Sequence, residues 1–152
     1  MYIWDTKSID DELCSYVLSK WPQPCEEAFI YIANKNINQL ANIIRYSNLA
    51  SYDLTLAVEY FGNAIEDSNA ARDILIPLLQ NDSALVREGV IYGLENHINE
   101  EVINIFAEMS ESDPSKEIRN ILKSTIGYII QEDCENKNIL FNNFNSRRIT
   151  LL

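Results

Sequence analysis

One spacing constrains this chain more than any other feature: apolar residues recur in a register of 32. Leu54, Val86 and Ile118 stand 32 residues apart, and so do Val58, Val90 and Leu122. Three further columns share the register: Ala57 with Gly89 and Ile121, Gly62 with Leu94 and Ile126, and Ile65 with His97 and Ile129. Arg87 aligns with Arg119, while Thr55 fills that column in the first copy. A period between about 20 and 50 residues is the mark of a repeat array. Within each copy the apolar residues fall at helical spacing. A helical hairpin of about 30 residues cannot bury its apolar face alone, whereas stacked copies bury a continuous core.

The rest of the chain agrees with a helical reading. Glycine and proline number 4 each, and no Asn-Gly or Asp-Gly hairpin turn occurs. Residues 8–11, Ser-Ile-Asp-Asp, open like a capped helix that runs to about Lys20. Trp21-Pro22-Gln23-Pro24 breaks it, and Pro24 suits the first position of a second helix ending near Asn34. Six apolar stripes follow: Leu40, Ile43 and Ile44; Leu54, Val58, Phe61 and Ile65; Leu75, Leu78 and Leu79; Val86, Val90 and Leu94; Ile105, Phe106 and Met109; Ile118, Leu122, Ile126 and Ile129. The breaks between them carry Asn, Asp and Ser, the residues of turns and helix caps. The expectation is an all-α single domain over 1–152. Residues 37–130 form the repeats, 8–35 cap the first, and a short helix at 137–146 with Ile139, Leu140, Phe141 and Phe144 caps the last.

Residues 75–90, reading Leu-Ile-Pro-Leu-Leu-Gln-Asn-Asp-Ser-Ala-Leu-Val-Arg-Glu-Gly-Val, resemble a HEAT repeat. The resemblance lies in a first helix bearing Leu and Pro, an Asn-Asp turn, and Val-Arg opening the second helix. The third copy repeats it as Asp113-Pro114 and Ile118-Arg119. The first copy departs, with no Arg and a longer turn. The resemblance covers about residues 37–130 and implies a short α-solenoid of about three HEAT-like hairpins. It implies a structural role for Asp82, Arg87, Asp113 and Arg119, and it places second-helix residues on the concave face.

Charge narrows the function. Twelve basic residues against 23 acidic ones give a net charge of −11. Such a surface excludes nucleic-acid binding, which needs Lys and Arg to neutralise phosphates, and docking on an anionic membrane. No run of 18 apolar residues offers a membrane span. The N-terminus lacks a basic and apolar leader, which points to the cytoplasm. Cys14, Cys25 and Cys134 are odd in number and lack a CxxC spacing, so they read as reduced thiols. No phosphate loop, GxSxG, HExxH or spaced-carboxylate metal loop appears, so neither an enzyme nor a metal or cofactor is expected. His97, the single histidine, reads as a partly buried ring near a helix end.

The candidate site is the other side of the second helices. Glu88, Tyr92 and Glu95 fall at i, i+4 and i+7, one helical face, with Asn96 beside them. The register adds Glu59, Tyr60 and Asn63 from the first copy and Asn120 and Ser124 from the third. Tyrosines ringed by carboxylates suit a protein partner: the rings supply area and the acids supply steering. In size and charge the chain also resembles immunity proteins that neutralise bacterial toxins. The expectation is a non-enzymatic module, monomeric before binding, that blocks a basic toxin such as a nuclease. The alternatives are a general HEAT-repeat scaffold or assembly factor and, less in keeping with the acidic charge, a HEAT-like enzyme.

Overall fold

A computed structural model describes residues 10–136. All regular structure among the described residues is helical, in keeping with the absence of strand patterning. The helices are α1 (Asp11–Lys20), α2 (Glu26–Lys35), α3 (Ile37–Tyr46), α4 (Ser51–Ala64), α5 (Ser68–Leu75), α6 (Ala84–Leu94), α7 (Glu100–Ser112) and α8 (Lys116–Asn136). No described helix is long and apolar enough to cross a membrane. The chain divides into two compact units, Met1–His97 and Ile98–Leu152. The helix expected at 137–146 lies outside the described residues.

In the first unit four of the six helices start on a side-chain cap. Asp10 caps α1, its carboxylate accepting from the amides of Glu12 at 3.1 Å and Leu13 at 3.4 Å. The Asp10 amide in turn donates to Gln39 Oε1 at 3.0 Å, tying the start of α1 to α3. Pro24 does not open α2: Cys25 is the cap residue, Glu26 comes first, and Pro24 is buried just before them. Asn36 ends α2 and caps α3, accepting from the Asn38 amide at 3.1 Å. Helix α4 starts without any side-chain cap, because Ala50 occupies that position. The third apolar stripe is not one continuous helix. Pro77 has no N–H to extend the α-helical ladder, so α5 stops at Leu75 and tightens into a 3-10 turn, Ile76–Gln80.

Phe29, Ile32, Leu40, Ile43, Val58, Phe61, Leu75, Val90, Ile91 and Leu94 have no exposed surface and form the core of this unit. Helix α4 organises it, packing against both α2 and α6, while α3 lies against α2 and α4, and α5 against α6. Glycines bring α4 and α6 together. A Cβ on Gly62 would sit 2.2 Å from the Gly93 carbonyl oxygen, and one on Gly89 would sit 2.9 Å from Thr55. Close approach at Gly89 follows from its small size. The Gly62–Gly93 contact falls outside the 32-residue register and is visible only in three dimensions.

In the second unit α7 packs against α8. Ile118, Leu122 and Ile126 of α8 are buried as the stripe predicts. On α7 the buried apolar residues are Val102, Ile103, Phe106 and Met109, whereas Ile105 is only half-buried. The stripe is therefore rotated by part of a turn from the one read in sequence, because Val102 and Ile103 take the inner positions.

The 32-residue offset recurs in the hydrogen bonds. Asn81 Oδ1 accepts from the Ser83 amide at 2.9 Å, and Asp113 Oδ1 accepts from the Ser115 amide at 2.9 Å. Ser83 Oγ then caps α6 through the Val86 amide at 3.4 Å, and Ser115 Oγ caps α8 through the Ile118 amide at 3.3 Å. Arg87 returns to the Asn81 carbonyl at 2.8 Å, and Arg119 to the Asp113 carbonyl at 2.5 Å. Asp67 and Asn99 likewise cap α5 and α7 through the amides of Ala70 at 3.1 Å and Val102 at 2.9 Å. One pair of turns and two pairs of caps are thus built alike from residues 32 apart. Asp82 contributes its backbone carbonyl, which accepts from Arg87 at 3.2 Å.

Candidate functional site

Helices α2, α4 and α6 carry a set of carboxylates that act on one another. Glu59 of α4 lies half-buried, and its carboxyl is pushed up first by burial, then by the charges of Glu88 on α6 and Glu26 on α2. Glu95, just past the end of α6, is pushed up by the protein packed around it and then by Glu59. The repulsion among these acids follows from where the backbone puts them. Close contact of α4 with α6 at the glycines leaves little distance between facing side chains.

Two tyrosines sit among the acids. Tyr60 donates its hydroxyl proton to Glu26. That bond, then burial, then the charges of Glu26, Glu59 and Glu27 push the phenol up from 10.0 to about 12. Tyr92 is pushed up by burial, then by the charge of Glu88, its hydrogen bond to Glu88, and the charges of Glu95 and Glu59. Both rings are half-buried, so their apolar bodies pack while their polar ends meet carboxylates. Asn63 and Asn96 are exposed at the ends of α4 and α6, and Asn96 Nδ2 donates to Asn63 Oδ1 at 3.2 Å.

Seven of the nine residues expected from sequence therefore belong to one neighbourhood: Glu59, Tyr60, Asn63, Glu88, Tyr92, Glu95 and Asn96. Asn120 and Ser124 are exposed on α8, in the second unit. Sequence reasoning missed Glu26 and Glu27. Residues 8–35 were expected only to cap the first repeat, whereas α2 packs on α4 and brings Glu26 to Tyr60. The available signal was that α2 precedes the repeats and offers acids for the same face.

This face is acidic. The charges acting on Glu59, Tyr92 and Glu95 are all carboxylates. Among the described residues no group of three His, Cys, Asp or Glu is arranged to hold a metal ion. Cys14 and Cys25 are free thiols pushed up chiefly by burial, the opposite of an activated nucleophile. Comparison with protein-family models, with curated proteins and with solved structures yields no match in any of the three.

Proposed function

We propose that the protein is a non-enzymatic binding module that neutralises a basic protein partner through the acidic face of α2, α4 and α6. The partner class best suited to it is a toxin domain of the nuclease type, whose own nucleic-acid surface is basic, which makes this chain an immunity protein acting in the cytoplasm. In this reading the three helices are the inner row of a short HEAT-like α-solenoid. One observation carries the proposal: Glu26, Glu59, Glu88 and Glu95 lie around Tyr60 and Tyr92, and on top of burial the charges of Glu88 and Glu26 raise the cost of charge on Glu59, as Glu59 does on Glu95. Lys and Arg side chains from a partner relieve that cost on binding and gain charge-assisted hydrogen bonds. The tyrosine rings supply buried contact at low entropy cost, and the net charge of −11 accelerates encounter.

The experiment is a tagged pull-down from the native host, followed by expression of the recovered protein with and without this chain. A stoichiometric basic protein that is lethal alone and harmless in co-expression is the expected result. Recovery of an acidic or housekeeping assembly instead overturns the toxin reading.

A further inference from the structure

His97 is the one buried histidine, with 4% of its surface exposed, and nothing in the binding reading uses it. It occupies the last position of the short 3-10 turn Glu95–His97 that continues α6. Its ring touches two other elements. Nε2 lies 2.7 Å from the Gly62 carbonyl oxygen at the end of α4, and Nδ1 lies 2.7 Å from Ser68 Oγ at the start of α5. A carbonyl only accepts, so Nε2 carries the proton, and in the neutral ring Nδ1 accepts from the Ser68 hydroxyl. The His97 carbonyl is held as well, accepting from Arg72 Nη1 at 3.1 Å. Arg72 is itself braced by Asn69 Oδ1 at 2.6 Å. The equivalent positions in the other two copies are Ile65 and Ile129, neither of which can make these bonds.

The turn so fastened also carries Glu95 and Asn96. Like charges on separate helices drift apart unless the backbone holds them, and Glu95 faces Glu59. We infer that His97 is a positioning latch: by pinning the Glu95–His97 turn to the ends of α4 and α5, it holds Glu95 and Asn96 beside Glu59 and Asn63 against carboxylate repulsion. The latch concerns the geometry of the proposed binding face, but it operates in the free protein. Its test therefore needs no partner, and it stands or falls separately from the toxin reading.

The experiment follows the carboxyl carbons of Glu59 and Glu95 by NMR through a pH titration of the full chain. The groups facing them are Glu26, Glu88, Tyr60 and Tyr92, which remain in every variant. The wild type is compared with His97→Ile, the residue found at the equivalent positions, and with Ser68→Ala, which removes one of the two ring contacts. In His97→Ile both carboxyls titrate nearer the ordinary glutamate range, by about half a pH unit, or about threefold in proton affinity. Ser68→Ala moves them the same way by less, and His97→Gln, which keeps a donor for Gly62, restores part of the shift. A folded His97→Ile protein whose Glu59 and Glu95 titrate as in the wild type overturns the latch. Should His97→Ile fail to fold, Ser68→Ala decides alone: a downward shift supports the latch and an unchanged pair rejects it.

Discussion

Gly62 carries the sharpest constraint at the scale of single residues. Its missing side chain leaves room for the Gly93 backbone, and any Cβ there meets rigid main chain rather than a side chain that can swing away. Gly62→Ala is expected to cost about 3 kcal/mol or more, the upper end of overpacking penalties, read as a loss in chemical-denaturation midpoint. Gly127, in the middle of α8, is the internal control because nothing lies within 4 Å of a Cβ placed on it. Gly127→Ala is expected to gain about 0.5–1 kcal/mol from helix propensity. A loss at Gly127, or neutrality at Gly62, contradicts the packing described. Neither glycine's role was legible in the sequence. A glycine in a helical pattern reads the same whether a neighbour touches it or not.

At the scale of elements the turns before α6 and α8 are the best-determined pieces. Ser83 and Ser115 each cap a helix, and Arg87 and Arg119 each fold back to a carbonyl of the preceding turn. Ser83→Ala and Ser115→Ala are each expected to cost about 1 kcal/mol in denaturation experiments. Arg87 is buried and holds two turn carbonyls, so Arg87→Met should cost more, about 1.5–3 kcal/mol. These turns were readable because cap, turn and Arg are local chemistry at fixed offsets. The rotation of the α7 stripe toward Val102 and Ile103 was not readable, because the two apolar pairs 102–103 and 105–106 admit two faces. The stop at Leu75 was missed for another reason: the Pro77 ring ends α5 early without interrupting the apolar spacing.

At the scale of the whole molecule the all-helical class was legible from spacing and turn chemistry, and most of the acidic face from the 32-residue register. The contribution of α2 was not, because it depends on a packing contact between segments with no common motif. Charge dominates the behaviour expected at this scale. Glu59 and Glu95 hold their protons more tightly in the folded chain than in the unfolded one. Over the interval between those two states the folded protein binds more protons, so stability falls as pH rises through it. The penalty is complete above the raised values and relieved as pH drops toward the ordinary carboxyl range. Mild acidification from neutrality should therefore raise the contribution of this face to stability, and the double variant Glu59→Gln, Glu95→Gln should flatten that pH dependence in denaturation midpoints. An equal slope in both proteins contradicts the burial and repulsion that push these two carboxyls up. The same repulsion underlies the proposed function, so the most direct test joins the two. It measures the association rate of the recovered basic partner with the wild type and with Glu59→Gln, Glu88→Gln, Glu95→Gln at rising ionic strength. Fast association that slows steeply with salt is expected in the wild type, and slower association with a shallower salt dependence in the triple variant, which keeps Glu26 and a net negative charge. Equal rates and equal salt slopes for the two proteins contradict it.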